Sequence, residues 1–332
     1  MNRLARNVVY AGLLSALSLA ACAPCALADD TAASPLLAAQ TPIEVPGGPG
    51  KFDWMAVDRG LHRILASHAG KGTLVVFDLG TREVRQLQAG EVNGEAVDEK
   101  DDLLATGGGG KTVTIFKRST LEKVGEIALD GPADAIAFEP KSGNFYVDED
   151  DGTRVWVIDP RTLKIAGAVT IAGAPEYLVY DGAARRFYQN IKTANCLQVI
   201  DPAKRKVVAS WPTAPTNSPH GLAAGTNGRL YIAGKNILSV MDAKSGKILG
   251  STEIAKGSVD QIDIDEAKGR VYCANSSGSI SVVGITEDGA KLLGIVPSHK
   301  GSHTLAVDPD THSVWICYSD DKGSYLQEYR PQ

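Results

Sequence analysis

The sequence predicts an all-β chain, a seven-bladed β-propeller of four-stranded antiparallel blades whose ring is closed by an N-terminal strand. Three observations carry that expectation. A short apolar stretch closed by an acid or turn residue recurs at Ala56-Val57-Asp58, Ala96-Val97-Asp98, Ala137-Phe138-Glu139, Val179-Tyr180-Asp181, Ala223-Ala224-Gly225, Ile264-Asp265 and Val307-Asp308, and the closing residues are spaced 40, 41, 42, 44, 40 and 43 apart. A second phrase follows by roughly twenty residues, as in Val76-Phe77-Asp78, Val157-Ile158-Asp159, Val199-Ile200-Asp201 and Val240-Met241-Asp242. No segment holds a sustained helical period. A repeat in the forties made of short β-type runs is what propeller blades require.

Taken in order, the chain begins with a targeting segment. Arg3 and Arg6 precede an apolar run from Val8 to Ala21 that is short for a membrane span. Ala26-Leu27-Ala28 then supplies a small-x-small cleavage pattern, so residues 1–28 read as a signal peptide and Asp29 as the mature N-terminus. A rival reading starts from Leu19-Ala20-Ala21-Cys22, which resembles a bacterial lipobox and would leave a lipid anchor on Cys22. Either reading places the protein outside the cytoplasm, periplasmic or secreted in the first case and a lipoprotein in the second. Residues 29–40 are Ala-rich, without turn chemistry or strand pattern, and read as a flexible lead-in. Residues 41–332 suit a single seven-bladed domain.

Each blade parses as four strands separated by turn residues. In the sixth, Gln261 to Ile264 is the inner strand, Arg270 to Ala274 the second, Ser279 to Gly284 the third and Lys291 to Val296 the outer one. One blade cannot bury both of its faces, whereas seven in a ring bury each against a neighbour. The seventh offers only three strands after Ser302, at Leu305-Ala306-Val307, Val314 to Tyr318 and Tyr325 to Tyr329. Ile43-Glu44-Val45-Pro46-Gly47 looks like the missing outer strand, and Ile43 and Val45 are expected alongside Tyr325 to Tyr329.

Charge and cysteine usage narrow the function. The chain has 34 basic and 39 acidic residues, and 32 against 39 once Arg3 and Arg6 are removed. That balance argues against bulk attraction to nucleic acid, and leaves membrane contact only to an anchor on Cys22. A monomer is expected. Cys196, Cys273 and Cys317 remain after cleavage, all in apolar strand contexts, and read as buried reduced thiols. A Cys273–Cys317 bridge is the exception that near-equivalent positions in neighbouring blades leave open.

A family resemblance rests on particular motifs. Tyr272-Cys273-Ala274-Asn275 is similar to the Tyr-Val-Thr-Asn of YVTN-repeat propellers, Val199-Ile200-Asp201 to their Val-Ile-Asp, and Ser218-Pro219-His220-Gly221-Leu222 to their Pro-His-Gly blade opening. The resemblance spans roughly residues 41–332 and departs in blades one and two, where Leu65-Ala66-Ser67 and Leu104-Ala105-Thr106 lack the Tyr. It implies the propeller fold and, for related propellers, roles ranging from exported binding proteins to lactonases, lyases and metal enzymes. Fold alone does not choose among them.

The candidate site is the mouth of the central channel. Counting back five residues from each closing residue gives Asp53, Asn93, Asp134, Glu176, His220, Asp260 and His303. Two readings fit this polar ring, a hydrated channel lining and a ligand or metal site. His220, Asp260 and His303 occupy consecutive blades, and two imidazoles with a carboxylate suit a divalent metal with open positions. Glu176 or Asp53 could then orient a ligand histidine or act as general base. Trp54 and Tyr177 follow ring acids and suit ligand stacking or packing between blades. A second ring is expected from the turns between second and third strands, with His68, Lys71, Lys111, Arg154, Lys192, Lys235 and Asn275, which suits an anionic ligand group or plain solvated tips. His62 and His312 read as exposed turn residues on the opposite face.

Several motifs fail. Gly107-Gly108-Gly109-Gly110-Lys111-Thr112 lacks the required Gly at Ala105 and sits in a hairpin, so it is not read as a phosphate loop. There is no Gly-x-Ser-x-Gly elbow, and no Cys-x-x-Cys remains in the mature chain. Two functions fit what is left. One is an exported propeller binding a small molecule, metal ion or protein partner at its mouth. The alternative is a metal-dependent hydrolase, lactonase or lyase at the same place.

Overall fold

A computed structural model describes residues 36–332. The signal-peptide and lipobox readings, and residues 29–35 of the lead-in, lie outside the described residues. Seven antiparallel sheets follow one another along the chain. Blades one to six occupy residues 54–88, 94–128, 133–170, 175–212, 222–253 and 262–297, each four strands paired in sequence order.

Burial follows position within a blade. The second strand of blade one, Arg63–His68, is buried throughout, and the third, Thr73–Asp78, at all but its last residue. These strands are sandwiched between neighbouring blades, so apolar runs such as Val75-Val76-Phe77 need not alternate. Outer strands have one wet face and do alternate, as Lys206–Pro212 and Gly289–Pro297 show. The apolar side chains form seven core clusters, one in each gap between neighbouring blades. Burial of apolar surface between blades is therefore what holds the ring together.

The repeated acid has a local cause. Asp98, Glu139, Asp181 and Asp308 each accept hydrogen bonds from backbone amides two or three residues later, at Lys100 and Asp101, Lys141 and Ser142, Ala183 and Ala184, and Asp310. Asp78, Asp159, Asp201 and Asp242 do the same after the third strand. A short carboxylate side chain at a strand end folds the next turn onto itself. Asp58 departs from this pattern. It is fully buried and accepts from Arg63 at 2.6 Å and Arg118 at 2.5 Å, which ties blade one to blade two.

Blade seven combines both ends of the described chain. Its own strands are Leu305–Val307, Val314–Ser319 and Ser324–Pro331. Ile43–Val45 pairs with the last of these, Ile43 opposite Leu326 and Val45 opposite Ser324. The closing strand expected from the sequence is there, and it is longer than expected. Leu37–Ala39, placed in the lead-in by sequence, continues the same edge with Leu37 opposite Pro331 and Ala39 opposite Tyr329. Leu37 is only 2% exposed among Tyr272, Ile280 and Tyr329, so burial supplied by blades six and seven orders a segment with little strand pattern of its own.

Cys196, Cys273 and Cys317 are free and buried, and the Cys273–Cys317 bridge is not formed. The glycine run at 107–110 spans a hairpin between Leu103–Gly108 and Thr112–Lys117. A Cβ at Gly108 would lie 1.9 Å from the Glu91 carbonyl oxygen, so close backbone packing explains that glycine. Among the described residues no helix is long and apolar enough to cross a membrane.

Candidate functional site

The seven counted positions lie at equivalent points of their blades. Asp53 and Asn93 immediately precede their inner strands, Asp134 and Glu176 are second in theirs, and His220, Asp260 and His303 stand two residues before. Backbone bonds to second strands or to the next blade hold the approach loops in place, among them Asp53 N to Ser67 O, Asn93 N to Gly107 O, His220 N to Ala233 O and Gln261 N to His303 O.

Charges interleave at this mouth. Lys51 Nζ lies 2.6 Å from Asp53, and Lys192 Nζ bridges Glu176 at 2.6 Å and Asp151 at 2.9 Å. His220 Nδ1 donates to the Ser218 carbonyl at 2.7 Å, which leaves Nε2 facing Glu176 at 3.5 Å. His303 Nδ1 lies 2.9 Å from Asp260, at ion-pair distance but without hydrogen-bond alignment. Each imidazole is thus matched to one carboxylate from the preceding blade. The His220, Asp260 and His303 arc expected to hold a metal does not converge, and no three His, Cys, Asp or Glu side chains among the described residues are grouped to share an ion. The Asn93 side chain makes one long contact, 3.5 Å from Nδ2 to the Ala133 carbonyl of the next blade.

Proton affinities differ around the ring. Burial, then the charges of Asp148, Asp53 and Glu176, pushes Asp134 well above the usual carboxylate range. Burial also raises Asp148, which is fully enclosed and accepts from Ala135 N at 2.7 Å and Gln189 Nε2 at 2.9 Å. Glu176 is raised by burial despite the opposing pull of His220 and Lys192. Asp260 is half-buried, yet His303, His220 and Lys51 hold it below the usual range. Burial would lower Lys192, but its two carboxylate partners keep it above its ordinary value. Beneath this layer Glu95, hydrogen-bonded by the Ser67 hydroxyl, is pushed up to about 8 by burial.

A partition closes the channel below the ring. Trp54 and Tyr177, expected as surfaces for a ligand or for packing between blades, stack on each other across the axis at 4.3 Å and 21°. Gln261 Nε2 donates to Met55 O at 2.6 Å and to the Tyr177 hydroxyl at 3.2 Å, while Met55 N donates back to Gln261 Oε1 at 3.1 Å. Blades one, four and six therefore meet mid-channel, and the mouth is a blind cup.

The second ring disperses. Lys192 joins the cup, but Lys235 is exposed and makes no ion pair among the described residues. Arg154 turns to Glu149 and Asp130, and Asn275 is buried against Cys273 O and Ser281. His68 is fully buried at the ring joint, stacked on Phe52 at 4.3 Å and bonded to Ser324 at 3.0 Å. His312, read as merely exposed, lies 3.0 Å from buried Asp265. Sequence reasoning missed Lys51, Asp150, Asp151 and Gln261. Gln261 directly follows the ring position Asp260, and Asp150 and Asp151 occupy the tip of blade three where a cation was expected, so spacing pointed near them without separating them from loop polarity.

No family profile matches the chain, and no curated protein matches it. Among solved structures it is similar to the WD40 repeats of RRP9, with a TM-score of 0.75 at 9% identity over 89% of this chain and 100% of that one. At that identity the likeness is one of fold, the seven-bladed propeller, and says nothing of ligands.

Proposed function

We propose that the protein is an exported, YVTN-like binding propeller whose mouth takes a hydrophilic polycation, either a small polyamine or a basic segment of a protein partner. The observation that carries this reading is the composition of the cup. Asp53, Asp134, Asp150, Asp151, Glu176 and Asp260 gather around two lysines above a closed floor. Lys51 and Lys192 occupy part of this field as a cationic ligand would, and excess carboxylate remains in a partly desolvated site where pairing is stronger than in water. Propellers commonly serve as binding scaffolds, which agrees with this reading. Export is supported by the basic, apolar and small-residue order of residues 1–28.

Titration calorimetry with spermidine tests the mouth. Saturable binding that weakens steeply with salt is expected, and Asp53→Asn with Glu176→Gln should weaken it at least tenfold. Absence of binding, or binding indifferent to both changes, would overturn the reading. Zinc, manganese and calcium belong in the same series. Stoichiometric uptake of one ion, lost in His220→Ala with His303→Ala, would transfer the assignment to the metal-dependent enzyme. Mass spectrometry of the mature protein tests export, with Asp29 expected first and a lipid-modified Cys22 as the contrary result.

A further inference from the structure

Beyond the partition, the channel opens towards the opposite face as a cavity of 480 Å³. Its wall is chemically unlike the mouth. Trp54, Ala56, Val57, Phe138, Val179 and Tyr180 line it, all half-buried and so in contact with water only through the channel. Apolar surface held open to water in the middle of a packed ring is unfavourable unless something covers it. The volume lies within the range of small-molecule sites.

The polar groups are few and placed. Asp263 is the one carboxylate among the lining residues. It is fixed by two backbone amides, Ile264 N to Oδ1 and Val307 N to Oδ2, each at 2.8 Å. A carboxylate offers about four acceptor positions, so two stay available to a donor in the cavity. Arg59, the one basic lining residue, is turned to Asp310 with contacts of 2.6 and 3.1 Å. Its charge is thereby occupied at the rim and does not neutralise Asp263. The Trp54–Tyr177 stack and Gln261 form the floor, which separates this space from the mouth.

We propose that this end of the channel is a second binding site, for a small aromatic amine whose ring packs on the apolar wall and whose ammonium group pairs with Asp263. The proposal is independent of what the mouth binds. Selectivity comes from combining desolvated apolar contact with a single preoriented negative charge. An anionic ligand of the same shape would face Asp263 unpaired.

Tryptamine and indole-3-propionate share a ring and differ in the sign of the terminal charge, so calorimetric titration of the intact protein with each isolates the role of Asp263. Tryptamine is expected to bind at one site at least tenfold tighter. Asp263→Asn should shrink that preference below about threefold. Ala56→Trp and, separately, Val179→Trp fill the cavity from two different blades and should abolish binding of both probes, with thermal melting confirming a folded ring. Equal binding of the two probes, no binding of tryptamine, a preference that survives Asp263→Asn, or binding that persists in the folded filling variants would each overturn the proposal.

Discussion

The two ends of the central channel are lined by the same seven inner strands, yet one is ionic and the other apolar. At the mouth the side chains come from the loops before the inner strands, from the first residues of those strands and from neighbouring hairpin turns, and carboxylates sit within a few ångströms of Lys51, Lys192, His220 and His303. Past the Trp54–Tyr177 stack they come from the strand bodies, and Val57, Phe138 and Val179 replace the acids. The difference shows how a propeller can host two environments on one axis. Lead-in positions are free to vary in charge, strand positions are committed to packing, and a three-blade contact keeps the two apart.

Opening the ring should damage both ends together and give the largest effect. Deleting residues 36–48 exposes the edge at Ser324–Pro331 and strips Val45 and Leu37 from their burial sites. Two fully buried aliphatic side chains are worth about 5 kcal/mol, or a fall of about 10 °C in Tm for a domain of this size. Calorimetry on the truncated chain measures it, and an unchanged Tm would refute closure by this segment.

Breaching the partition should come next. Gln261→Ala leaves the Met55 amide and carbonyl without their side-chain partner in a buried setting. That costs about 2–3 kcal/mol. It also joins the two compartments, so the cavity and mouth variants should begin to affect each other's ligands, whereas in the parent protein their effects add.

The fold was legible because its repeat has a local cause. An acid that caps the turn after a strand recurs in most blades, and counting back from each blade's closing residue finds every lead-in loop. The mouth residues were legible for the same reason. What those residues contact was not legible. Trp54 and Tyr177 are 123 positions apart and meet because the ring places blades one and four across a narrow axis, a distance that no local pattern encodes. His220 and His303 were expected to share one ion with Asp260. Each is instead matched to its neighbour's carboxylate, since the ring spaces them a full blade or more apart. Leu37–Ala39 was missed because its order comes from blades six and seven rather than from its own alternation.

A smaller effect, on pH dependence, should come from Glu95 beneath the mouth. Its folded value, about 8, lies above the ordinary 4.5, because burial and then Asp53 oppose ionisation more than the Ser67 hydroxyl assists it. The native state therefore binds the proton more tightly than the unfolded chain. Stability from this group is complete below pH 4.5, is lost progressively as pH rises to about 8, and levels off beyond. Glu95→Gln cannot ionise, so its unfolding free energy should match the parent near pH 4.5 and exceed it progressively as the pH rises to about 8. Parallel denaturant curves at the two pH values would sink the assignment if Glu95→Gln were no better at the higher one.

The smallest effect on stability, and the most informative about the cup, is expected from Lys192→Met. The lysine is about a quarter exposed and its partner Asp151 is open to solvent, so the pairs it makes are screened and worth less than about 1 kcal/mol. Its methylenes are replaced by a side chain of similar reach, so Tm should move by no more than about 2 °C. The charge consequence is larger than the structural one. Removing this cation frees Glu176 and Asp151, deepens the negative field over Asp134 and Asp260, and vacates the position that an incoming ammonium group would take. Spermidine affinity at the mouth should rise severalfold, while tryptamine affinity beyond the Trp54–Tyr177 stack should stay within about twofold at 0.1 M salt or above, where mobile ions screen a partly exposed charge over about 10 Å. A Lys192→Met variant that bound spermidine more weakly would mean that the lysine holds the cup in shape rather than competing for it, and the contrast between the two ends would then rest on geometry instead of charge.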